Sequence, residues 1–445
     1  MSSPEGELAN SDAQRDVSPP EPLTPVDAAW YRMETAGSRA GIVAIMRLEG
    51  EIDDRSLREA TERRLLTRRR FRRRVVESAH GIAPPEWRDE EPFSYEAHVT
   101  RCRVPGPGRD ADLVAFATEL VNTPMDPRRA PWRTWIVDGC EGGSVLITQL
   151  HHCMGDGFAL VDALVSMTDE RAAEDAKPSS SRRPVRSERH PASNIEMARR
   201  AGRGLADLGH LLLLPFDPPN RLRGVPSGVL RLAWSKGVSI ARVKALAKER
   251  NATLNDVLLA AITGALRRYL IACGDSIANF RAILPVNLRP ASEPIDEEHG
   301  NWFGLAFVDL PVVVGDANER VAQIKQNMTR IKASQEPVVS LMVLNALGRA
   351  PAVVEHVVNE VFTRKSSIVI SNVPGPRSPV SLAGHRVRDL VFWVPHPSGL
   401  SCGASILSYA GTVRVGIRSD AAVVPDPERI AQAFDDELLT WSANG

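Results

Sequence analysis

Residues 144–157 read SVLITQLHHCMGDG, and this stretch decides the fold prediction. Its first half is apolar and rich in β-branched side chains, which predicts a strand over residues 144–152. Gly155 and Gly157 allow the chain to turn sharply after that strand. The apolar spacing over residues 158–168 then predicts a helix. A strand, a histidine-bearing turn and a helix therefore follow one another directly.

Mixed patterns continue on both sides of this stretch. A strand pattern at 132–137 precedes it across a short Gly-containing turn, so a hairpin is expected. Another strand pattern at 41–50 leads to a helix capped by Asp53 or Asp54. Further along, helix patterns cover 239–250, a segment ending near Cys273, and 426–439, and strand patterns cover 280–286, 303–310, 367–372, 387–394, 403–409 and 412–418. Because strands and helices do not alternate strictly, we expect mixed sheets in two α/β halves.

Composition and its local changes along the chain predict the domain organisation. The 445 residues are 43% hydrophobic and 25% charged, which is enough to bury two cores. Polar, Pro-rich residues 1–22 predict a disordered lead-in, and the Ser-, Pro- and charge-rich run that begins at residue 172 predicts a linker. The predicted units are a first lobe at 23–171, a crossover at 172–237 and a second lobe at 238–445.

Charge and cysteine content exclude several functional classes. Fifty-five basic and 55 acidic side chains cancel, so no overall field attracts nucleic acid, and we expect no nucleic-acid partner. The five cysteines are scattered without a CxxC pair, which favours a reducing cytosol over a disulfide scaffold. No stretch of about 18 apolar residues is present, and the amino terminus lacks a signal-peptide pattern, so we expect a cytoplasmic protein.

The two adjacent histidines carry the chemistry of residues 144–157. Neighbouring residues of a strand point to opposite faces, so His151 and His152 cannot serve one site in the same way. Three interpretations are open: a metal site, satisfied core histidines, or a general base that takes a proton from a hydroxyl at neutral pH. No GxSxG nucleophile motif accompanies them. A histidine base without a protein nucleophile favours direct attack by a substrate hydroxyl or amine on an activated acyl group.

At this motif the sequence resembles the HHxxxDG acyltransferases, which include chloramphenicol acetyltransferase, plant BAHD enzymes and peptide-synthetase condensation domains. Flanking segments resemble the bacterial wax ester synthase/diacylglycerol acyltransferase family more narrowly. In chain order they are LTPVDAAWYRMET (23–35), APW (130–132), ATLNDVLLAAITGALRRYL (252–270), PVNLRP (285–290), GNWFGLAFVDLP (300–311), SNVPGP (371–376) and SYAGTVRVGIRSDAAVVPDPERI (408–430).

This resemblance implies a two-lobed, chloramphenicol-acetyltransferase-like fold with a tunnel between the lobes. Acyl-CoA would enter from one side, and diacylglycerol or a long-chain alcohol from the other. His152 would be the general base, with His151 as structural support, Asp156 shaping the loop and Gly157 making the turn. No covalent acyl-enzyme, metal or cofactor beyond the acyl-CoA substrate is implied.

Other site residues are expected in the second lobe. Asn255 lies in the family's Asn-Asp motif, and the capping-box spacing of Thr253 and Asp256 places it in a first helical turn. Free N–H groups and the positive dipole end there would favour a developing oxyanion, so Asn255 is a candidate oxyanion donor. The alternative is that the segment only caps the helix. Ser371, Asn372 and Gly375 are expected beside the substrate tunnel, or else in a plain strand-ending turn.

Two surface features have more than one interpretation. Six of the residues at 68–74 are arginines, and Arg72 and Arg73 are expected to bind the phosphates of CoA, anionic lipid headgroups, or only water. Leu211 to Phe216 read LLLLPF, which is expected either to lie in a core helix or to dip into a membrane or lipid-inclusion surface.

The expected activity is an acyl-CoA-dependent O-acyltransferase that makes triacylglycerol or wax esters. Two alternatives stay open. One is an acyltransferase for short-chain alcohols or other small molecules on the same fold, and the other is a non-catalytic protein that binds acyl-CoA or lipid. Peripheral contact with membranes or lipid inclusions is part of the expectation, because the acceptors do not dissolve in water.

Overall fold

The computed structural model describes residues 19–35, 39–78, 83–170, 204, 206–289, 300–396 and 399–441. The predictions of a disordered lead-in over residues 1–18 and of a linker over residues 172–203 lie outside the described residues. All statements below concern the described part of the chain.

Sixteen strands are described: β1 (Glu21–Pro22), β2 (Gly41–Leu48), β3 (Arg73–Val76), β4 (Glu86–Asp89), β5 (Val99–Arg103), β6 (Trp132–Asp138), β7 (Val145–His151), β8 (Leu230–Trp234), β9 (Val238–Ser239), β10 (Phe280–Asn287), β11 (Phe303–Leu310), β12 (Ile368–Pro374), β13 (Ser381–Leu382), β14 (His385–Trp393), β15 (Cys402–Tyr409) and β16 (Thr412–Asp420). The α-helices are α1 (Pro25–Arg32), α2 (Asp54–Ala60), α3 (Asp110–Asn122), α4 (Gly157–Ser166), α5 (residues 206–213), α6 (Ile240–Glu249), α7 (Leu254–Ala272), α8 (Ala317–Ala333), α9 (Glu336–Leu347), α10 (Ala352–Thr363) and α11 (Pro427–Thr440).

The strands form two large mixed sheets and one small sheet. The first sheet has the order β13-β14-β2-β7-β6-β5, and the second has the order β11-β10-β12-β15-β16-β8, with β9 also paired to β16. A three-stranded sheet has the order β1-β4-β3. The expected hairpin is confirmed, since β6 and β7 pair antiparallel with Trp132 opposite Leu150. The prediction of mixed sheets in an α/β fold is therefore confirmed.

Sheet membership departs from the predicted lobe boundaries in three places. Strand β1 lies inside the predicted lead-in, and β8 lies inside the predicted crossover but forms an edge of the second sheet. Strand β14 follows the start of the second lobe in sequence, yet it pairs antiparallel with β2 of the first sheet. Local patterns predict that a segment is a strand but carry no information about its distant partner, which explains these differences.

Buried apolar side chains join the two large sheets. One cluster includes Leu150 and Phe392 of the first sheet together with Phe307 and Val369 of the second. A second cluster surrounds α7, which is buried along most of its length. The histidine-bearing turn after β7 therefore lies where the two sheets share a core.

Trp393 at the end of β14 fixes this junction. Its side chain is fully buried, and its indole Nε1–H donates to the backbone oxygen of Ala233 on β8 at 2.9 Å. Gly416 on β16 leaves room for the indole, because a Cβ there would lie 2.8 Å from the Nε1 atom. One aromatic side chain thus connects β14 of the first sheet to the far edge of the second.

We predict that Trp393→Ala lowers the free energy of unfolding by about 3–5 kcal/mol, because it removes a large buried side chain from a site that cannot collapse. Trp393→Phe is the matched control and should cost about 1–3 kcal/mol, the effect of leaving the Ala233 carbonyl unpaired. Urea denaturation followed by tryptophan fluorescence measures both. Equal losses for the two variants would contradict a packing role for the indole.

Candidate active site

The proposed base, His152, begins a short 3₁₀ turn, His152–Met154, directly after β7. Its side chain is buried, and its imidazole stacks on the indole of Trp30 with a centroid distance of 3.9 Å and an interplanar angle of 10°. The ring of Phe303 lies 5.6 Å away at a tilt. Aromatic groups from both halves of the chain therefore enclose the imidazole.

This enclosure decides the charge of the ring. Burial lowers the pKa of His152 to about 3, although the backbone carbonyl of His152 and the side chain of Asn301 act in the opposite direction. Desolvation disfavours the imidazolium because a charge loses its hydration in an apolar site. The Nδ1 atom is buried and makes no hydrogen bond with the described residues. At neutral pH the ring is neutral and has a lone pair available for a proton.

His151 points in another direction and has its own partners. Its Nδ1 atom accepts a hydrogen bond from the backbone N–H of Cys153 at 3.1 Å. Its Nε2 atom lies 3.0 Å from a carboxylate oxygen of Glu34, so the ring proton is held on this side. Hydrogen bonds from His151 and from the backbone of Ala40 outweigh burial and lower the pKa of Glu34. These contacts fix the orientation of the His151 ring, and its supporting role stays a prediction.

Asp156 and Gly157 shape the turn and start α4. The Asp156 carboxylate accepts a hydrogen bond from the backbone N–H of Ala159 at 2.9 Å, which caps the helix. Burial raises the pKa of this carboxyl group. A Cβ at position 157 would lie 3.3 Å from the ring of Phe392, so glycine allows β14 to approach closely. Asp156 therefore caps α4, and its role in shaping the active-site loop, like that of Gly157 in the turn, stays a prediction.

Three residues that sequence reasoning did not assign hold the turn in place. Asp27 on α1 accepts hydrogen bonds from the backbone and side chain of Asn301, at 2.9 and 2.7 Å. The same amide of Asn301 donates to the backbone oxygen of His152 at 2.7 Å. Arg70 forms a buried ion pair with Asp27 at 3.2 Å. Asp27 and Asn301 lie in segments quoted for the resemblance, but no spacing in one sequence shows that residues 274 positions apart meet.

Two small cavities flank the imidazole. One, with a volume of about 30 Å³, is lined by Met154, Gly155 and Arg289, and the other, of about 40 Å³, is apolar and lined by Trp30 and α9 and α10 side chains. His152 lines neither of them, and each is too small for a lipid substrate. Among the described residues, these two cavities do not join into the continuous tunnel that the resemblance implies.

Two larger grooves open on the surface. One, of about 450 Å³, is lined by His151, Glu34 and Tyr31. The other, of about 530 Å³, runs between α4 and residues 373–380, and Gly375 is part of its wall. Gly375 also packs tightly, since a Cβ there would lie 2.7 Å from the Ser408 backbone oxygen. Ser371, the neighbouring predicted residue, is buried on β12.

The structure brings Asn255 and Asn372 together. Asn255 lies in the first turn of α7, which the predicted capping box of Thr253 and Asp256 begins. Its side-chain oxygen accepts a hydrogen bond from the Nδ2 atom of Asn372 at 3.0 Å. No hydrogen bond among the described residues links this pair to His152. The capping prediction is confirmed, and the oxyanion role of Asn255 stays a prediction.

The arginines at 68–74 do not form one cationic face, which corrects that expectation. Arg72 is exposed, but Arg73 is 2% exposed and its guanidinium pairs with Asp89 and Glu21, both at 2.8 Å. Arg70 pairs with Asp27, and Arg68 pairs with Asp162 at 2.9 Å. Some arginines of this irregular segment are buried and others exposed, so a run of like charges in sequence does not become a run in space. Arg73 is unavailable for CoA in this arrangement.

The LLLLPF segment is divided between core and surface. Leu211 is fully buried, whereas Leu213 is 85% exposed and Leu212 and Phe216 are more than half exposed. In the described ranges no helix is long and apolar enough to cross a membrane. The same ranges contain no group of three or more His, Cys, Asp or Glu side chains arranged to hold a metal ion.

Family models match most of the chain. The wax ester synthase/diacylglycerol acyltransferase catalytic domain matches residues 23–230, and the C-terminal domain of the same family matches residues 299–440. Among curated proteins, a probable diacylglycerol O-acyltransferase, tgs1, of Mycobacterium tuberculosis is 28% identical over 442 residues and covers 94% of both chains. A putative diacylglycerol O-acyltransferase of the same organism, Rv3087, is 28% identical over 408 residues, covering 83% of this chain and 85% of its own.

Solved structures show the same fold. The wax ester synthase/diacylglycerol acyltransferase of Marinobacter aquaeolei VT8 superposes with a TM-score of 0.68 at 22% identity, covering 94% of this chain and 98% of its own. The first condensation domain of the calcium-dependent antibiotic synthetase gives 0.64 at 13% identity, covering 96% and 97%. The two-lobed fold expected from the sequence is therefore confirmed. With its catalytic and C-terminal domains both matched, this chain belongs to the wax ester synthase/diacylglycerol acyltransferase family and is an acyltransferase of that family.

Proposed function

We propose that this protein transfers an acyl group from acyl-CoA to the hydroxyl of diacylglycerol or a long-chain alcohol, with His152 as general base. The observation that carries this proposal is the neutral, buried imidazole at the end of β7, where both halves of the chain meet. The names of the mycobacterial relatives support diacylglycerol as acceptor. A starter condensation domain of the same fold, solved in complex with C8-CoA, supports a CoA thioester as donor.

The proposed reaction needs no covalent enzyme intermediate. The lone pair of His152 takes the proton of the acceptor hydroxyl while the oxygen attacks the thioester carbonyl. A tetrahedral oxyanion forms and collapses, the carbon–sulfur bond breaks, and the imidazolium returns its proton to the CoA thiolate. General-base assistance of this kind contributes about 10²- to 10⁴-fold to the rate. Asn255 remains the candidate donor to the oxyanion.

Trp30 lies between the imidazole and an apolar cavity that suits an acyl chain. The indole covers one face of the imidazole and also forms a wall of the apolar cavity between α9 and α10. Rotation of this side chain would join that cavity to the ring. The apolar wall suits an aliphatic chain, since burying each CH₂ group contributes about 0.8 kcal/mol. In the covered arrangement water is excluded from the base.

His152→Ala is expected to lower kcat for acyl transfer by about 10²- to 10⁴-fold in a protein that still folds. CoA release, followed with a thiol reagent, measures turnover with diacylglycerol and with hexadecanol side by side. His385→Ala, at the half-exposed start of β14, is the control and should keep wild-type turnover. Near-wild-type transfer by folded His152→Ala would remove the mechanism, and absence of transfer by the wild type would favour a binding protein.

The lowered pKa of His152 predicts that the buried ring does not titrate between about pH 8 and about pH 5. Since the covered ring stays neutral above a pKa of about 3, its ¹⁵N resonances in the free protein should not change over this range. An ordinary imidazole, with a pKa of ~6.5, would become charged within this range. NMR titration of protein labelled with ¹⁵N-histidine measures this, with the His152 ring assigned by its loss in His152→Ala. Titration with an apparent pKa of ~6.5 would contradict the buried, neutral ring.

We also propose that the exposed part of LLLLPF contacts a lipid surface. Leu212, Leu213 and Phe216 lie beside the end of α10, where Lys365 donates to the backbone oxygens of Leu211 and Leu212, both at 2.7 Å. The exposed guanidinium of Arg364 lies over the Phe216 ring at 5.4 Å. Exposed apolar side chains next to a cation suit the interface of an anionic bilayer.

Replacing Leu212 and Leu213 with Asp should weaken sedimentation with vesicles that contain anionic lipid, because charged side chains do not enter the apolar interface. Leu439→Asp is a matched control, since Leu439 on α11 is 57% exposed and Leu212 is 59% exposed. The control should bind vesicles as the wild type does. If the Leu212 and Leu213 variants bind unchanged, this segment is not the contact.

A further inference from the structure

We infer that Asp27 and Asn301 are positioning residues that hold the imidazole of His152 in its reactive orientation. This inference rests on the general-base role proposed above. Asp27 belongs to α1 near the start of the chain, and Asn301 lies two residues before β11 of the second sheet. Both side chains are buried, and Asp27 has no exposed surface.

The amide of Asn301 is oriented by its partners. Its Nδ2 group donates to the carboxylate of Asp27 and to the backbone oxygen of His152, both at 2.7 Å, so both amide protons are used. Rotation of the amide by 180° would place its oxygen against a carboxylate and a carbonyl, which repel it. Asp27 thereby selects the orientation of Asn301 in which a donor faces the His152 backbone.

Arg70 makes a second connection from Asp27 to the turn. One Asp27 oxygen lies 3.2 Å from the Nη1 atom of Arg70, and this Nη1 donates to the backbone oxygen of Met154 at 3.4 Å. The first and last residues of the His152–Met154 turn are therefore both held by groups that meet at one carboxylate. Trp30, three residues after Asp27 on the same helix, stacks on the imidazole.

The backbone before Asn301 is shaped for this contact. Gly300 has a φ of +59°, which lies in the left-handed region that favours glycine. A Cβ at this position would collide with the Asp27 carboxylate. Thus the chain approaches Asp27 more closely than any side chain would permit, and the approach places the Asn301 amide on the His152 carbonyl.

A positioning role differs from a purely structural role in what a mutation does to the rate. A displacement of a catalytic group by about 1 Å can cost about 10²-fold in rate. A buried polar pair that only stabilises the fold affects the unfolding temperature and leaves kcat of the folded enzyme unchanged. The two roles are therefore distinguished by variants that restore stability without restoring the hydrogen bond from the side chain at position 301 to the His152 backbone oxygen.

The test uses Asn301→Ala, Asn301→Asp and the exchanged pair Asp27→Asn with Asn301→Asp. The single change to Asp places two carboxylates against each other, which should lower Tm by repulsion. The exchanged pair restores a donor–acceptor contact between positions 27 and 301, but a carboxylate at position 301 cannot donate to the His152 carbonyl. Each variant is assayed for Tm, for kcat and for KM with acyl-CoA.

We expect Asn301→Ala to lower kcat by about 10²-fold while KM for acyl-CoA changes by less than about threefold. The exchanged pair should recover Tm relative to Asn301→Asp but keep the low kcat. Asn122→Ala is the control, because Asn122 also donates to two backbone carbonyls, of Thr118 at 2.7 Å and Leu230 at 2.9 Å. It should lower Tm and leave kcat unchanged.

Recovery of kcat together with Tm in the exchanged pair would overturn the inference, and so would a wild-type kcat in Asn301→Ala. A second measurement does not depend on activity. In protein labelled with ¹³C,¹⁵N-histidine, the ring resonances of His152, assigned by their loss in His152→Ala, should carry a ring-current shift from the Trp30 indole, which stacks at 3.9 Å, and this shift should fall in Asn301→Ala. An unchanged ring spectrum overturns the inference even if the wild type transfers no acyl group, which would refute only the proposed function.

Discussion

A buried carboxylate without exposed surface, that of Asp27, connects the parts of this site. Its negative charge is compensated by Arg70 at 3.2 Å and by two hydrogen bonds from Asn301. Removing one partner of such a buried pair typically costs 3–5 kcal/mol, because the remaining charge stays desolvated. An apolar substitute for the whole group would often be as stable. The net stability that this charged group adds is therefore small, and its distinct effect is the orientation that it imposes on Asn301.

The Asp27 carboxylate also contacts residues from both halves of the chain. Asp27 is on α1, Arg70 is in a 3₁₀ turn before β3, and Asn301 leads into β11 of the second sheet. These hydrogen bonds are 2.7–2.9 Å long. A small displacement of one half of the chain relative to the other would therefore lengthen or break them. The orientation of the proposed base, His152, thus depends on the relative position of both sheets.

The sequence predicted the elements of the fold more completely than their partners. The hairpin of β6 and β7 and the capping box of α7 follow from spacings within a few residues, and both were predicted. The pairing of β14 with β2 joins segments more than 300 residues apart, which no local pattern encodes. Among candidate site residues, His151, His152 and Asp156 were proposed from their motif. Asp27, Asn301 and Trp30 were not, because their significance depends on contacts that exist only in the folded chain.

At Arg73 a sequence pattern predicted an exposed cationic surface that the fold does not present. A run of arginines predicts a cationic surface only if the segment presents its side chains to water. Here Arg73 lies on β3, buried against Asp89 and Glu21, while its neighbour Arg72 is exposed. A run of charged residues therefore predicts a charged surface only after the burial of each side chain is known. The reverse argument applies to His152, because burial lowers the pKa of this otherwise titratable ring and favours its neutral form.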